Sequence, residues 1–431
     1  MVILSILLFL VLVLVGAPLF VVIALIALFC FYSVGIPLYA VIGEVYRLTS
    51  APVLLTIPLF TVTGFLLAES KAPQRIVRVI SALFGWIPGG LAIVALISCA
   101  FFTAFTGASG VTIIALGGLL YPILLKEKYE EKFSLGLLTT GGSLGLLFPP
   151  SVPLILYGIV SKTNIDHLFL AGILPGVFLI IILSFYSGSK ALSFNVERKR
   201  FCLKEVFSSL LSAWGEIPLP FIIIIGIYGL GIIKAQFTVT DAAAICALYV
   251  FVVQVLIRRE ISLLRELPKI IQESMVLVGG IIIILASALG LTNYLVDEQI
   301  PMKILSFMQL YISSKLMFLV VLNIFLLIVG CLMDIFSAII IVVPLITPIA
   351  LSFGVHPIHL GIIFLTNLEI GYATPPVGIN LFISSFRFNK PILSLYKASL
   401  PFLVILLLAL LIITYVPLLS LGLLEFLKIS F

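Results

Sequence analysis

Apolar runs on the scale of a bilayer's hydrocarbon recur from one end of this chain to the other, and they limit its folds more than any other feature. Val2 to Tyr32, Pro218 to Ile233, Met275 to Leu291 and Phe402 to Val416 are examples, to be set against the ~30 Å of a membrane interior. Hydrophobic residues make up 62% of the chain and charged ones 10%, with a mean hydropathy of +1.36. So little polar surface cannot enclose a water-soluble core. A membrane barrel needs short alternating segments, whereas SMVLVGGIIIILASALGL (274–291) does not alternate. Helices are therefore expected throughout.

The opening MVILSILLFLVLVLVG lacks the positive region and polar cleavage region of a secretory signal, so it reads as a retained first helix. Cys30, Cys99, Cys202, Cys246 and Cys331 show no CxxC spacing and read as packing residues. The net charge of +6 does not point to nucleic acid. The cations sit in short loops: KAPQRIVR (71–78), KEKYEEK (126–132), Lys190 to Lys204 with ERKR (197–200), and RREISLLRELPK (258–269). Such loops face the cytoplasm. The chain must then enter and return between Arg78 and Lys126, and the small, polar FTAFTGASG (102–110) lies midway. A re-entrant hairpin or two full spans would both satisfy this.

The chain also repeats itself at an offset of 226 residues. Pro122 recurs as Pro348, Pro149 and Pro150 as Pro375 and Pro376, Pro175 as Pro401, and Gly64 as Gly290. The loop charges do not recur: KEKYEEK corresponds to the cation-free SFGVHPIH (352–359). The halves are therefore expected to face opposite sides, the inverted-repeat plan of many secondary transporters. Scaffold helices are expected over 1–50, and a first repeat over 51–190 with a hairpin at about 88–125 and a broken helix at about 133–160. A cytoplasmic linker, an arm and more scaffold should occupy 191–270. The second repeat, 271–431, should carry a hairpin at about 315–350 and a broken helix at about 360–386. Amphipathic stretches near 71–87, 203–216 and 294–312 are candidate interfacial arms, or loops with short helices.

Gly141, Gly142, Gly145, Pro149 and Pro150 in one half, and Gly371, Thr374, Pro375 and Pro376 in the other, cannot sustain unbroken helices. Freed carbonyls need protein, water or a cation, and the N-termini of half-helices favour a carboxylate. Sodium ligands are expected at Thr106, Gly107 and Ser109 of the first polar tip and at Gly142, Ser143 and Pro149 of the first break. In the second half they are Asp334 and Ser337 of the tip and Gly371, Thr374 and Pro376 of the break. A carboxylate substrate is expected at Ser109, Ser151, Asp334, Thr374 and Asn380. The plainer alternative is that the small residues only let helices pack closely.

Asp334, within GCLMDIFSAIIIVVP (330–344), is either a direct ligand at the site or the cap of a half-helix. Glu369 lies beside the second break and fits either a similar role or a water-filled vestibule. His356 and His359 flank Pro357 in an expected loop, with no carboxylate or cysteine close by to complete a metal site. An enzyme would need a paired acid, a Ser–His pair or a metal cluster, and none is legible. A channel also uses re-entrant loops and carbonyls, but two broken spans in an inverted repeat suit alternating access better.

With these motifs in hand, the chain resembles the large membrane subunit of the tripartite ATP-independent periplasmic (TRAP) transporters over essentially its whole length. The resembling stretches are GWIPGGLAIVALISCAFFTAFTGASG (85–110), LFPPSVPLILYG (147–158), LFLAGILPG (168–176), GCLMDIFSAIIIVVPLITP (330–348) and NLEIGYATPPVGINLF (367–382). Thr106, Gly107, Ala108 and Ser109 stand where the family tends to have a serine-rich tip, which bears on one hydroxyl ligand. Gly354, Val355, His356 and Pro357 replace its frequent GxDP, in a loop. The resemblance implies sodium-coupled uptake of a small organic acid such as a C4-dicarboxylate across a bacterial inner membrane, with sodium ions in place of any cofactor. It also implies two partners, a soluble periplasmic solute-binding protein and a small four-helix membrane subunit. An elevator movement of hairpins and broken helices against a scaffold in contact with membrane lipid is the implied mechanism. A carrier of anions working without a binding protein remains the alternative.

Overall fold

The computed structural model describes residues 16–39, 43, 46, 52–194, 201–229, 237–312 and 314–429. The expected start of the first helix and the ERKR loop lie outside them. Among the described residues every regular element is helical. Among the described residues eight helices are long and apolar enough to cross a bilayer, and the first broken pair would make a ninth. The longest, Leu267–Asp297, has 31 residues, about 46 Å at 1.5 Å per residue. It exceeds the hydrocarbon thickness and must tilt or protrude.

The hairpins fall where small polar residues interrupt apolar runs. Gly90–Thr106 is followed by Ser109–Lys126, and the chain reverses at Gly107, whose φ of 64° ends the first helix without a Cβ penalty. Thr106, Gly107 and Ser109 are buried. A connection between two full spans would lie at the surface, so the re-entrant form is the one this chain adopts. The second hairpin pairs Lys315–Leu332 with Ile335–Ser352. The first broken helix joins Glu131–Gly141 to Val152–Ser161 with a bend of 46°. The second joins Pro357–Gly371 to Ile379–Phe388.

Cross-contacts fix the relative direction of the two broken helices. Tyr157 Oη donates to Pro357 O at 2.9 Å, Ser143 Oγ to Glu369 O at 3.3 Å, and Thr139 Oγ1 to Ser384 Oγ at 2.9 Å. As one chain advances the other retreats, so the repeats are antiparallel. Ser143 and Glu369 are themselves separated by 226 residues. Repeat-equivalent residues that touch lie on the pseudo-two-fold axis relating the halves. Both Pro149–Pro150 and Pro375–Pro376 are cis, a further point of equivalence.

The described basic loops gather at one end. Arg75 Nη2 lies 2.6 Å from Glu216, Arg75 also pairs with Glu260, and Arg258 reaches Glu216 at 3.6 Å while stacking over Trp214. Lys390 pairs with Glu131 at the same end of the first broken helix. Helices fill the three expected arms: Ala72–Phe84, Leu203–Ser212 and Ile300–Gln309. The first buries Pro73, Ile76, Val77 and Ile80 along one face. Leu203, Phe207 and Leu211, one turn apart on the second, stay exposed in this chain.

Orientation follows directly and can be tested. In a background lacking the native cysteines, Lys126→Cys and Lys269→Cys should be shielded from an impermeant thiol reagent in intact cells. Asp297→Cys and Ser352→Cys should react. Reaction of all four from outside would contradict the antiparallel arrangement.

Candidate functional site

The tip of each hairpin packs into the break of its own repeat, backbone against backbone. A Cβ added at Gly145 would lie 2.2 Å from Ala100 O and 2.5 Å from Ala104 N, and one at Gly371 would lie 2.6 Å from Gly330 C. Ala104 and Gly330 are repeat equivalents, as are Gly145 and Gly371. Glycine is what lets helix and break approach this closely. Gly107 likewise rests on Val152, where its Cβ would come within 2.8 Å of the valine side chain.

At the first break, Thr103 Oγ1 is 2.6 Å from Gly142 O and 2.7 Å from Thr112 Oγ1, and Thr106 Oγ1 is 3.5 Å from Thr112. Ser143 Oγ also reaches Thr140 O at 3.2 Å. Ser151 caps the following half-helix, accepting from Leu154 N at 3.4 Å. At the second break, Asp334 Oδ1 accepts from Phe336 N and Ser337 N, both at 3.0 Å, and Ser337 Oγ donates to Oδ2. Ile335 N donates to Tyr372 Oη, and Gly378 N to Cys331 O at 3.2 Å. Thr374 Oγ1 donates to Ile370 O at 2.8 Å. Pro149 is half-buried beside the first break. Pro376 is exposed, and its carbonyl accepts from Tyr396 Oη at 2.8 Å, which places it outside the buried group.

The halves are joined across the centre by Ser109 Oγ, which donates to Asn380 Oδ1 at 2.7 Å. Asn380 Nδ2 in turn reaches Thr139 O at 3.4 Å. Both residues open half-helices, Ser109–Lys126 and Ile379–Phe388, whose N-caps Ala108 and Gly378 supply no side-chain acceptor. The other two half-helices are capped, by Ser151 and Asp334. Two helix N-termini without side-chain caps thus converge on one pair of polar side chains, an arrangement suited to an anion.

Over residues 6–419 the sequence matches the family described as the tripartite ATP-independent periplasmic transporter, DctM component. The chain belongs to that family. Among curated relatives, the C4-dicarboxylate TRAP transporter large permease protein DctM of Pseudomonas aeruginosa is 37% identical, over 88% of this chain and 87% of that one. The ectoine/5-hydroxyectoine TRAP transporter large permease protein UehC of Ruegeria pomeroyi is 32% identical, over 82% of each. A solved structure, the YdaH transporter of Alcanivorax borkumensis, described as having an unusual topology, shares the fold. Its TM-score is 0.63, with 11% identity over 89% of this chain and 88% of that one.

In this TRAP large permease, a component of a transporter and a multi-pass membrane protein, the geometry also amends the sequence reading. Asp334 is a cap for its half-helix in this conformation. Glu369 does not line a water-filled vestibule: it is 1% exposed, and neither carboxylate oxygen has a hydrogen-bond partner among the described residues. His359 lies in the first turn of a helix, its ring nitrogens 2.7 Å from Ser420 Oγ and 3.1 Å from Thr414 O, rather than in a loop. His356 caps that helix through Ile358 N. Sequence reasoning missed Thr103, Thr112, Thr139 and Tyr372. Thr103 was within reach, because its i, i+3 spacing from Thr106 puts both hydroxyls on one helix face.

Proposed function

We propose that this permease carries a small organic carboxylate across the bacterial inner membrane together with sodium ions. It receives the solute from a periplasmic binding protein and is braced by a small four-helix membrane subunit. The observation that carries this reading is the meeting of two uncapped helix N-termini at Ser109 and Asn380, flanked on either side by a tip-and-break cluster rich in oxygen. The N-termini favour the carboxylate. Sodium wants several oxygen ligands, which the carbonyls at Gly142 and Gly371 and the hydroxyls of Thr106, Ser143 and Ser337 can supply alongside Asp334. The names of the relatives support a C4-dicarboxylate or another small solute of that size. Exposed apolar stripes such as Leu203, Phe207 and Leu211 are then surfaces for lipid or for the small subunit. Movement follows an elevator course, hairpins and broken helices sliding as a body against the scaffold.

Reconstitution tests this. In liposomes the chain alone should take up no solute, and adding the small subunit with solute-loaded binding protein should restore uptake that stops when choline replaces sodium. Uptake of free solute by the isolated chain would mean a carrier without a binding protein. Sodium-independent flux with no solute coupling would mean a channel.

A further inference from the structure

A crevice of about 510 Å³ lies below the Ser109–Asn380 contact, at the end of the protein where the basic loops gather. Val111, Ala115 and Arg387 form one wall, and Glu69, Gln74 and Glu273 lie on the other. The first wall belongs to the first hairpin and the second broken helix; the second belongs to the helices Thr56–Glu69 and Leu267–Asp297 and the arm Ala72–Phe84. Arg387 is the only cation lining the crevice among the described residues.

Asn380, Ser384 and Arg387 are spaced i, i+4 and i+7, so they form one polar stripe on a half-helix that is otherwise mostly apolar, INLFISSFRF. From Asn380 to Arg387 the stripe descends about 10 Å toward the cytoplasm. Arg387 is exposed, and its guanidinium rests on the first hairpin. A Cβ at Gly118 would fall 1.6 Å from Arg387 Nη2 and 2.5 Å from Cζ, while Gly117 receives Phe388. Arg387 therefore lies against the hairpin backbone at Gly118, where an added side chain would displace the guanidinium. A cation serving membrane orientation alone needs no such seat; Lys126 and Lys390 flank the region without one. Laid there, Arg387 makes no hydrogen bond or ion pair among the described residues, and its fork of donors is available to an oxyanion. Glu69 and Glu273 across the gap repel an acid, so Arg387 holds its carboxylate on the hairpin side.

We infer that Arg387 is the carboxylate contact of the cytoplasmic exit, receiving the acid as it leaves Ser109 and Asn380 and setting how readily it is released. This rests on the carboxylate-uptake reading above. Gln74→Cys, on the facing wall in a background without native cysteines, reports occupancy through its rate of thiol modification in inside-out vesicles. Wild-type complex is first screened for uptake of succinate, malate and 2-oxoglutarate, and the transported acid becomes the probe. That acid should slow modification of Gln74→Cys, and Arg387→Gln should weaken its protection at least about tenfold, the cost of a charge-assisted pair. Sodium half-saturation of uptake should not change, which a merely misfolded variant would not satisfy. If none of the three acids is taken up, the carboxylate reading itself fails and this one with it. If an acid is transported but protects equally with and without Arg387, or never protects, this inference alone is overturned.

Discussion

Gly371→Ala should abolish sodium-dependent uptake, and Gly145→Ala should do the same from the other repeat. Each added methyl meets backbone rather than a side chain that could rotate away. At Gly371 the new Cβ would stand 2.6 Å from Gly330 C, 2.7 Å from its Cα and 3.0 Å from Cys331 N. At Gly145 it would stand 2.2 Å from Ala100 O and 2.6 Å from Thr103 Cβ. To relieve these contacts the hairpin must lift off the break by roughly an ångström, at a cost of about 1–3 kcal/mol or more. Such a shift also separates Thr103 from Gly142 and Tyr372 from Ile335, so the sites lose their geometry along with their packing. The controls are Gly279→Ala and Gly280→Ala, where the added Cβ meets nothing within 4 Å. These should transport and melt as the parent does. Thermal unfolding of the purified protein and uptake in liposomes measure both effects. A Gly371→Ala protein with parental melting and transport would show that tip and break do not touch as described.

Asp334→Ala and Asp334→Asn should separate two roles that one carboxylate can hold together. Oδ1 accepts the N–H groups of Phe336 and Ser337, and its charge lies at the positive end of the helix Ile335–Ser352. Alanine removes cap and charge, and loss of the cap alone costs about 0.5–2 kcal/mol. It should lower the melting temperature and eliminate uptake. Asparagine keeps an oxygen for both N–H groups, so the fold should survive nearly intact. If the charge also balances a sodium ion, the asparagine variant should need at least about tenfold more sodium for half-maximal uptake, since a partly desolvated charge pair is worth more than a neutral contact. An asparagine variant with parental sodium dependence would reduce Asp334 to a cap.

Much of this architecture was legible because its causes are local and covalent. A proline lacks an N–H and a glycine lacks a Cβ wherever they stand, so Gly141, Gly142, Pro149 and Pro150 announce a break before any partner is known. The offset of 226 residues carried this to the second half, and unequal loop charges implied the antiparallel arrangement that the Thr139–Ser384, Ser143–Glu369 and Tyr157–Pro357 contacts together display. The roles of the side chains were less legible. Thr103 has Val329 as its repeat equivalent, Thr112 has Ala338, and Asp334 has Ala108. The two halves thus keep a backbone plan while differing in chemistry, and the repeat cannot transfer a ligand from one to the other.

By itself the sequence determined the solvent, the helical class, the two breaks and their tips, because hydrophobicity and backbone restriction act within a few residues. Only the tertiary structure decided which polar atoms meet. Ser109 and Asn380 stand 271 residues apart, and Thr139 and Ser384 stand 245 apart. It also made Asp334 a cap, closed Glu369 away from water and laid Arg387 across Gly118. The physical reason is range: a hydrogen bond forms within about 3 Å, and no periodicity along a chain records which distant segments packing will bring to that distance.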